Sequence, residues 1–122
     1  MGYAYSSISL GDTQKVSEVA KPLKPAQDID KLIHEPARLN IMAHLYVVES
    51  ADFLFLMRQT SLTFGNLSSH MAKLEKAGYI KVEKEFMEKK PHTMLKLTAK
   101  GRKAFDSYKE QMKEMFEGLP GK

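Results

Sequence analysis

Apolar side chains recur every three or four residues along most of this chain, which is the spacing of one face of an α-helix. The first such pattern starts at residue 28, where Ile29, Leu32 and Ile33 share one face, and a second occupies residues 36–49. Pro36 suits the first turn of that second helix, because a backbone N–H at this position has no partner within the helix. Residues 1–27 are polar and interrupted by prolines, so they are predicted to form a flexible arm.

Two further helices are predicted in the middle of the chain. Residues 51–60 favour one or two extended residues followed by a short helix. Residues 63–76 favour a longer helix, with Thr63 as its N-cap and Gly78 as the left-handed residue that ends it.

The spacing then changes to two, which is typical of a strand. Ile80, Val82 and Phe86 lie at even spacing, the polar residues 88–91 indicate a turn, and residues 94–97 form a second strand-like run. A last helix is predicted for residues 98–117. Two short helices followed by a hairpin predict a winged helix-turn-helix, a mainly α fold with a small β-hairpin (α+β), over residues 28–118.

The helix at 63–76 has two distinct faces. Leu67, Met71 and Leu74 recur at four and three residues and are expected in the core. Nearly opposite lies a polar stripe without large apolar residues, formed by Asn66, Ser69, Lys73 and Lys76. A slim face that donates hydrogen bonds fits the major groove of B-DNA. Any surface helix has a polar face, however, so this stripe alone also fits simple exposure to solvent.

Charge is concentrated in the same part of the chain. The net charge is +4, but residues 61–103 hold ten Lys/Arg against four Asp/Glu, which gives +6, and the flanking segments are each −1. A basic segment is most often a solvated face, and Glu83, Glu85 and Glu88 dilute the hairpin's charge. A groove-sized helix beside lysines at a hairpin tip changes that interpretation, because the shape presents the charges to phosphate.

Three motifs carry a family resemblance: Leu-Thr-Phe-Gly-Asn-Leu-Ser-Ser-His at 62–70, Leu-Glu-Lys-Ala-Gly-Tyr-Ile at 74–80 and Leu-Thr-Ala-Lys-Gly at 97–101. In this order and spacing they resemble the compact winged-helix transcriptional regulators of bacteria and archaea that are related to the MarR and ArsR families. The resemblance covers about three quarters of the chain. It implies a homodimer that binds a roughly palindromic operator, with 63–76 as the recognition helix and 81–96 as the wing.

Two sets of site residues follow from the pattern and the resemblance together. The expected contacts to double-stranded DNA are Thr63, Gly65, Asn66, Ser69, His70, Lys73, Lys76, Lys84, Lys89, Lys90 and His92. His70 lies between the two helix faces, so a local hydrogen bond is an equal alternative for it. The expected dimer interface comprises Ile29, Leu32, Ile33, Phe105, Tyr108, Met112, Met115 and Phe116. Packing within one chain is the alternative for the stripe on the last helix.

The sequence gives less support to functions other than DNA binding. Leu54 stands where related proteins often place a residue that caps the short helix, so we expect that this cap is lost. If the domain were instead a protein-interaction module without DNA binding, Leu54 or Phe55 would mark the contact. No nucleophile–base pair or phosphate loop suggests an enzyme. With no cysteine and no metal-ligand spacing, neither a metal nor a cofactor is expected. We expect a cytoplasmic protein with no membrane partner, and an unidentified small-molecule effector stays open.

Overall fold

The computed structural model describes residues 29–121, so the predicted arm at 1–27 lies outside the described residues. Within that range the chain has four helices and three strands. In chain order they are α1 (Pro36–Val48), β1 (Ser50–Asp52), α2 (Phe53–Thr60), α3 (Phe64–Lys76), β2 (Ile80–Met87), β3 (Lys90–Leu97) and α4 (Ala99–Glu117). This is the predicted winged-helix architecture.

The helix predicted from residue 28 is wrong, because residues 31–35 form a turn. The Asp30 carboxylate accepts hydrogen bonds from the amides of Leu32 and Ile33, at 2.9 and 3.2 Å. Glu35 precedes a proline and is extended, as the proline ring requires, so helical geometry starts only at Pro36. The second Asp30 oxygen accepts a 2.5 Å bond from the Tyr79 hydroxyl, which ties the turn to the end of α3.

Each helix begins at a side chain that accepts a backbone hydrogen bond. Thr63 caps α3, as predicted, by accepting from the Asn66 amide at 3.1 Å. The expected loss of a cap at Leu54 is wrong, because Asp52 takes that role. Its carboxylate accepts from the amides of Leu54 and Phe55 at 2.8 and 3.2 Å.

The predicted hairpin belongs to a three-stranded antiparallel sheet in the order β1-β3-β2. Ile80 pairs with Leu97 at the base of the hairpin and Met87 pairs with Lys90 at its tip. The extended residues predicted before α2 form the third strand, in which Ala51 pairs with Leu95. This third strand attaches the wing to the start of α2, a pairing that the spacing of residues along the chain does not indicate.

The core lies where α1, α2 and α3 meet the base of this sheet. The fully buried side chains are Ile33, Ile41, Met42, Leu45, Leu56, Leu67, Leu74 and Leu95. The predicted core positions Leu67 and Leu74 are confirmed, while Met71 is only partly buried. Phe86, by contrast, projects into solvent beyond the end of the core.

Helix α4 packs against α1 through its first half. Its buried residues are Gly101, Phe105 and Tyr108. The Phe105 ring lies 5.0 Å from that of Tyr46, and the Tyr108 hydroxyl is 2.9 Å from Nδ1 of His34. Burial raises the pKa of Tyr108.

This packing redistributes the residues expected at a dimer interface. Ile29, Ile33, Phe105 and Tyr108 are all buried within one chain, so they are core residues of the single chain. Leu32, Met112 and Met115 are partly buried, and Phe116 is 61% exposed. Among the residues expected at the interface, only Phe116, in the second half of α4, is largely exposed.

Candidate nucleic-acid interface

The exposed face of α3 is the centre of the candidate site. Leu67 and Leu74 anchor the helix in the core, and the predicted polar stripe points away from them. All four of its side chains are exposed: Asn66, Ser69, Lys73 and Lys76. No acidic side chain among residues 29–121 lies within ion-pair distance of Lys73 or Lys76, so both are available to phosphate.

The N-terminus of α3 is open on the same side. Gly65 is exposed, and a Cβ added there would meet nothing within 4 Å. Packing within the protein therefore does not require a glycine at this position. Unpaired amides at a helix N-terminus carry partial positive charge, so a phosphate can approach the backbone closely here.

His70 is engaged within the protein rather than directed to the outside. A guanidinium nitrogen of Arg38 lies 3.0 Å from Nδ1 of His70, and Nε of Arg38 donates to the Leu32 carbonyl at 2.6 Å. Since the guanidinium can only donate, Nδ1 of His70 is the acceptor in this contact. This is the local hydrogen bond held open as the alternative, and it fixes α3 against α1.

Glu35 completes this contact. Its carboxylate accepts from the Arg38 amide at 2.8 Å and lies 3.9 Å from the His70 ring nitrogen. The hydrogen bond from the Arg38 amide is the main cause that lowers the pKa of Glu35, and burial acts in the opposite direction. Helix α3 is thus held at its midpoint by Arg38 of α1 and by Glu35 of the turn that precedes α1.

The two faces of the wing carry different charges. Lys96 forms ion pairs with Glu83 at 3.0 Å and Glu85 at 2.7 Å, and Lys81 reaches Glu83 at 3.0 Å. Hydrogen bonds that Lys81 and Lys96 donate to Glu83 lower the pKa of Glu83, and the bonds that Lys96 donates to Glu85 and Glu83 raise the pKa of Lys96. These partly exposed ion pairs all lie on the face of the wing opposite Lys84. The glutamates therefore offset lysine charge on that face and not on the face that carries Lys84.

Lys84 lines a cleft between the wing and α3. The cavity measures about 220 Å³ and is lined by Phe53, Phe64, Ser68, Met71, Val82, Lys84 and Thr93. Phe64 is 64% exposed and its ring lies 5.0 Å from that of Phe53. Sequence reasoning missed Phe64, Ser68 and Thr93. The available signal for Phe64 was its position three residues before Leu67, which places it on the same helix face as the core residues.

His92, an expected DNA contact, is bonded within the protein. Its Nδ1 lies 2.7 Å from Oδ1 of Asp52, the residue that caps α2. Burial acts to raise the pKa of Asp52, but the bonds from His92 and from the Phe55 and Leu54 amides outweigh it and lower that pKa. The contact fixes the wing to the start of α2. Lys89 and Lys90 at the wing tip are exposed, and neither has an acidic partner among the described residues.

A polar helix face beside a basic wing defines a winged-helix DNA-binding protein. Residues 37–116 match the family model described as a winged helix DNA-binding domain, and the chain belongs to that family. This fold and family are those of transcriptional regulators. None of the described helices is long and apolar enough to cross a membrane, and no group of three potential metal ligands occurs among the described residues.

Known proteins show the same architecture. The chain is 37% identical over 78 residues to an uncharacterized protein of Methanocaldococcus jannaschii, covering 64% of this chain and 85% of the relative. A transcriptional regulator homologue from Pyrococcus horikoshii OT3 superposes with a TM-score of 0.71 at 27% identity, over 88% of this chain and 99% of the other. The regulator NadR, solved with 4-hydroxyphenylacetate, gives 0.59 at 21% identity over 96% and 81%. The resemblance to MarR-like winged-helix regulators is thereby confirmed.

Proposed function

We propose that this protein is a sequence-specific, double-stranded DNA-binding transcriptional regulator that acts as a homodimer. Helix α3 enters the major groove, and the wing lies along the backbone and the adjacent minor groove. The observation that carries the proposal is the exposed face of α3, which is polar, cationic and flanked by the unpaired lysines of the wing. The winged-helix DNA-binding family supports it.

The residues divide by chemistry. Asn66 and Ser69 lie near the start of α3 and have short side chains suited to base edges, where Asn pairs well with adenine. Lys73 and Lys76 suit phosphates or guanine acceptors, and Thr63 and Gly65 present backbone amides to a phosphate. Lys84, Lys89 and Lys90 add contacts that carry no sequence information, because phosphates are identical at every base pair.

A homodimer would place two copies of α3 on one side of the duplex. Half-sites of such proteins lie about 34 Å apart, one turn of DNA. The second half of α4 supplies apolar surface for the partner through Met112, Met115 and Phe116. Leu32, in the turn at 31–35, adds to this surface. A small-molecule effector is compatible with this arrangement, since the structural neighbour NadR was solved with 4-hydroxyphenylacetate.

A protein-interaction module is the second candidate. Leu54 and Phe55 are 49% and 36% exposed on the outer face of α2, and they favour an apolar contact there. Such a module needs no unpaired lysines on α3 and the wing, which is why DNA binding is preferred. Under this alternative the protein would not bind duplex DNA at low salt.

The first test measures duplex binding against salt concentration by fluorescence anisotropy. Because each neutralised phosphate adds about 0.9 to the slope of log K against log salt, a dimer with several lysine contacts should lose affinity steeply. Lys89→Ala should weaken binding to specific and random duplexes alike and reduce the slope. Lys103→Ala, at an exposed lysine in the first half of α4, serves as the matched control and should leave both unchanged.

The second test concerns sequence discrimination on fragments selected from a random DNA pool. Asn66→Ala should reduce the ratio of specific to random binding by roughly five- to 150-fold, since a good bidentate base contact contributes about 1–3 kcal/mol. Asn40→Ala, an exposed asparagine on α1, is the control. A folded protein that binds no duplex at low salt would exclude the regulator. Equal effects of Asn66→Ala on specific and random DNA would exclude the division of roles.

A further inference from the structure

The tip of the wing carries apolar side chains that the core does not use. Phe86 is 77% exposed and Met87 is 45% exposed, and they are adjacent at the end of β2. Large apolar groups at the end of a projecting hairpin are costly in solvent, because each leaves apolar surface in contact with water. Neither contributes to the cluster of buried side chains that holds the domain together.

The register of the hairpin separates this tip from the core. On the strand face that looks towards α3, the cross-strand pairs run outward from the base as Ile80–Leu97, Val82–Leu95, Lys84–Thr93 and Phe86–Pro91. The first two pairs are apolar and packed, the third is polar, and the fourth is apolar again. The polar Lys84–Thr93 pair separates the Phe86–Pro91 pair from the two packed pairs. The apolar tip is therefore not an extension of the core.

The turn at the tip is tight and conformationally restricted. Glu88 and Lys89 connect the strands and have φ values of 54° and 65°. Positive φ at both central residues is typical of a type I′ turn, where asparagine and glycine are usual because other residues are strained. Pro91 opposite Phe86 restricts the backbone further. Phe86 therefore lies at a narrow hairpin tip whose backbone conformation is restricted.

The charge around the tip favours a nucleic-acid partner. Lys84 lies two residues before Phe86 on the same face, Lys89 lies in the turn and Lys90 begins β3. None of the three has an acidic partner among residues 29–121. Glu85 lies on the other face, bound to Lys96 at 2.7 Å. Glu88 is the remaining acid at the tip, and it is exposed beside two lysines.

We infer that the wing tip is an apolar wedge that enters the minor groove of duplex DNA, where Phe86 presses between base pairs and bends the duplex. The inference rests on the proposed function. Proteins that bend DNA insert Phe, Met or Pro between base steps in the minor groove and kink the duplex by about 20–90°. Here Phe86 and Pro91 form the wedge on one face of the tip, Met87 adds apolar surface on the other face, and the three lysines hold the phosphates on either side.

The dimensions explain why bending is expected. Paired strands lie about 4.7–4.9 Å apart before their side chains are counted, whereas the minor groove of B-DNA is about 6 Å wide. A hairpin tip bearing a phenyl ring must open the groove to enter it. Opening the minor groove tilts the base pairs away from the ring and bends the duplex towards its major groove.

The test compares Phe86→Ala with the wild-type protein on a DNA fragment selected for wild-type binding. The bend is measured from energy transfer between fluorophores on the two ends of the duplex, and base unstacking from 2-aminopurine fluorescence at the contacted step. The wild type should bend the duplex and raise the 2-aminopurine signal. Phe86→Ala should abolish both and weaken binding several-fold, while the salt slope stays unchanged because no phosphate contact is lost.

Three variants serve as controls. Phe86→Leu keeps an apolar wedge and should retain most of the bend. Val47→Ala truncates another highly exposed apolar side chain, on α1, and should change nothing. Lys89→Ala should lower affinity and the salt slope but leave the bend of the bound complex. All these positions are exposed, so thermal unfolding midpoints should match the wild type.

The outcomes separate this inference from the proposed function. If the wild type binds the selected duplex but leaves it straight, or if Phe86→Ala bends it equally, the wedge is wrong while DNA binding stands. If Phe86→Ala instead abolishes a contact with another protein and leaves DNA bending intact, the tip is a protein contact and the wedge is again wrong. If no duplex binds at low salt, the proposed function itself fails.

Discussion

Asp52 joins two elements through one carboxylate. One oxygen accepts the amides at the start of α2, and the other lies 2.7 Å from the ring of His92 on β3. An aspartate before a helix predicts a cap, but nothing along the chain indicates that residue 92 lies beside it. The pairing of β1 with β3 brings them together.

This contact predicts a pH-dependent stability. The pKa of Asp52 is lowered from 3.8, so its carboxylate stabilises the fold above that value, and this stabilisation is lost as pH falls through the lower folded-state pKa. Asp52→Asn keeps a good cap but loses the charge, and should reduce the free energy of unfolding at pH 7 by about 1 kcal/mol. Urea unfolding at pH 7 and below pH 3.8 measures the difference, which should shrink in acid. Glu88→Gln is the control, and a constant difference would contradict this role.

At the same scale, Gly101 shows how far a local pattern can be taken. A glycine within the first turns of a helix indicates that another element passes close to its backbone, and a Cβ on Gly101 would lie 2.0 Å from the Tyr79 carbonyl oxygen. Thr98 caps the helix at the Gly101 amide and donates to the Gly78 carbonyl at 2.6 Å. The close approach was predictable, but its partner was not, because Tyr79 lies on the far side of the hairpin in sequence.

At the scale of elements, α3 was predictable because its residues satisfy several local rules at once. Thr63 caps it, Leu67 and Leu74 share one face, and Gly78 at φ 83° reverses the chain after it. The turn at 31–35 was missed because apolar spacing alone cannot register that Asp30 captures the backbone amides. His70 and His92 lie in the predicted elements, yet contacts between elements occupy both.

The N-terminus of α3 gives an element-scale prediction. Gly65→Ala should raise the free energy of unfolding by up to about 1 kcal/mol, since alanine favours helix and its Cβ meets no neighbour. The same methyl group should weaken DNA binding if a phosphate approaches this amide. Chemical unfolding and duplex titration on one preparation measure both quantities. Opposite changes in stability and affinity support a phosphate at Gly65, and unchanged affinity contradicts it.

At the scale of the whole molecule, α4 is longer than the core that supports it. Its 19 residues span about 28 Å, and its last buried residue is Tyr108. Beyond Tyr108, Met112 and Met115 pack against the edge of the core and are only partly buried, while Phe116 is exposed. An apolar helix end of this kind is well suited to pack against a second copy of the chain.

The corresponding prediction concerns oligomeric state. Phe116→Glu should shift the protein from dimer to monomer in sedimentation equilibrium, because it places a charge in an apolar seam. Val47→Glu changes an even more exposed position on α1 and should leave the dimer intact. A monomeric wild type would contradict the dimer. If only Val47→Glu abolishes the dimer, the interface lies on α1 and not on α4.

The sequence by itself determined most local features of the described residues: four helices, the Thr63 cap, the hairpin, the two faces of α3 and the basic charge of residues 61–103. These depend on the spacing of residues close together in the chain, and short-range sterics and hydrogen bonding enforce them. Only the tertiary structure decided which predicted residues are available to a partner. Ile33 and Phe105 fill the core, His70 and His92 bind Arg38 and Asp52, and Phe86 is left exposed. Such pairings join residues far apart in the chain, and the packing of all the elements together selects them.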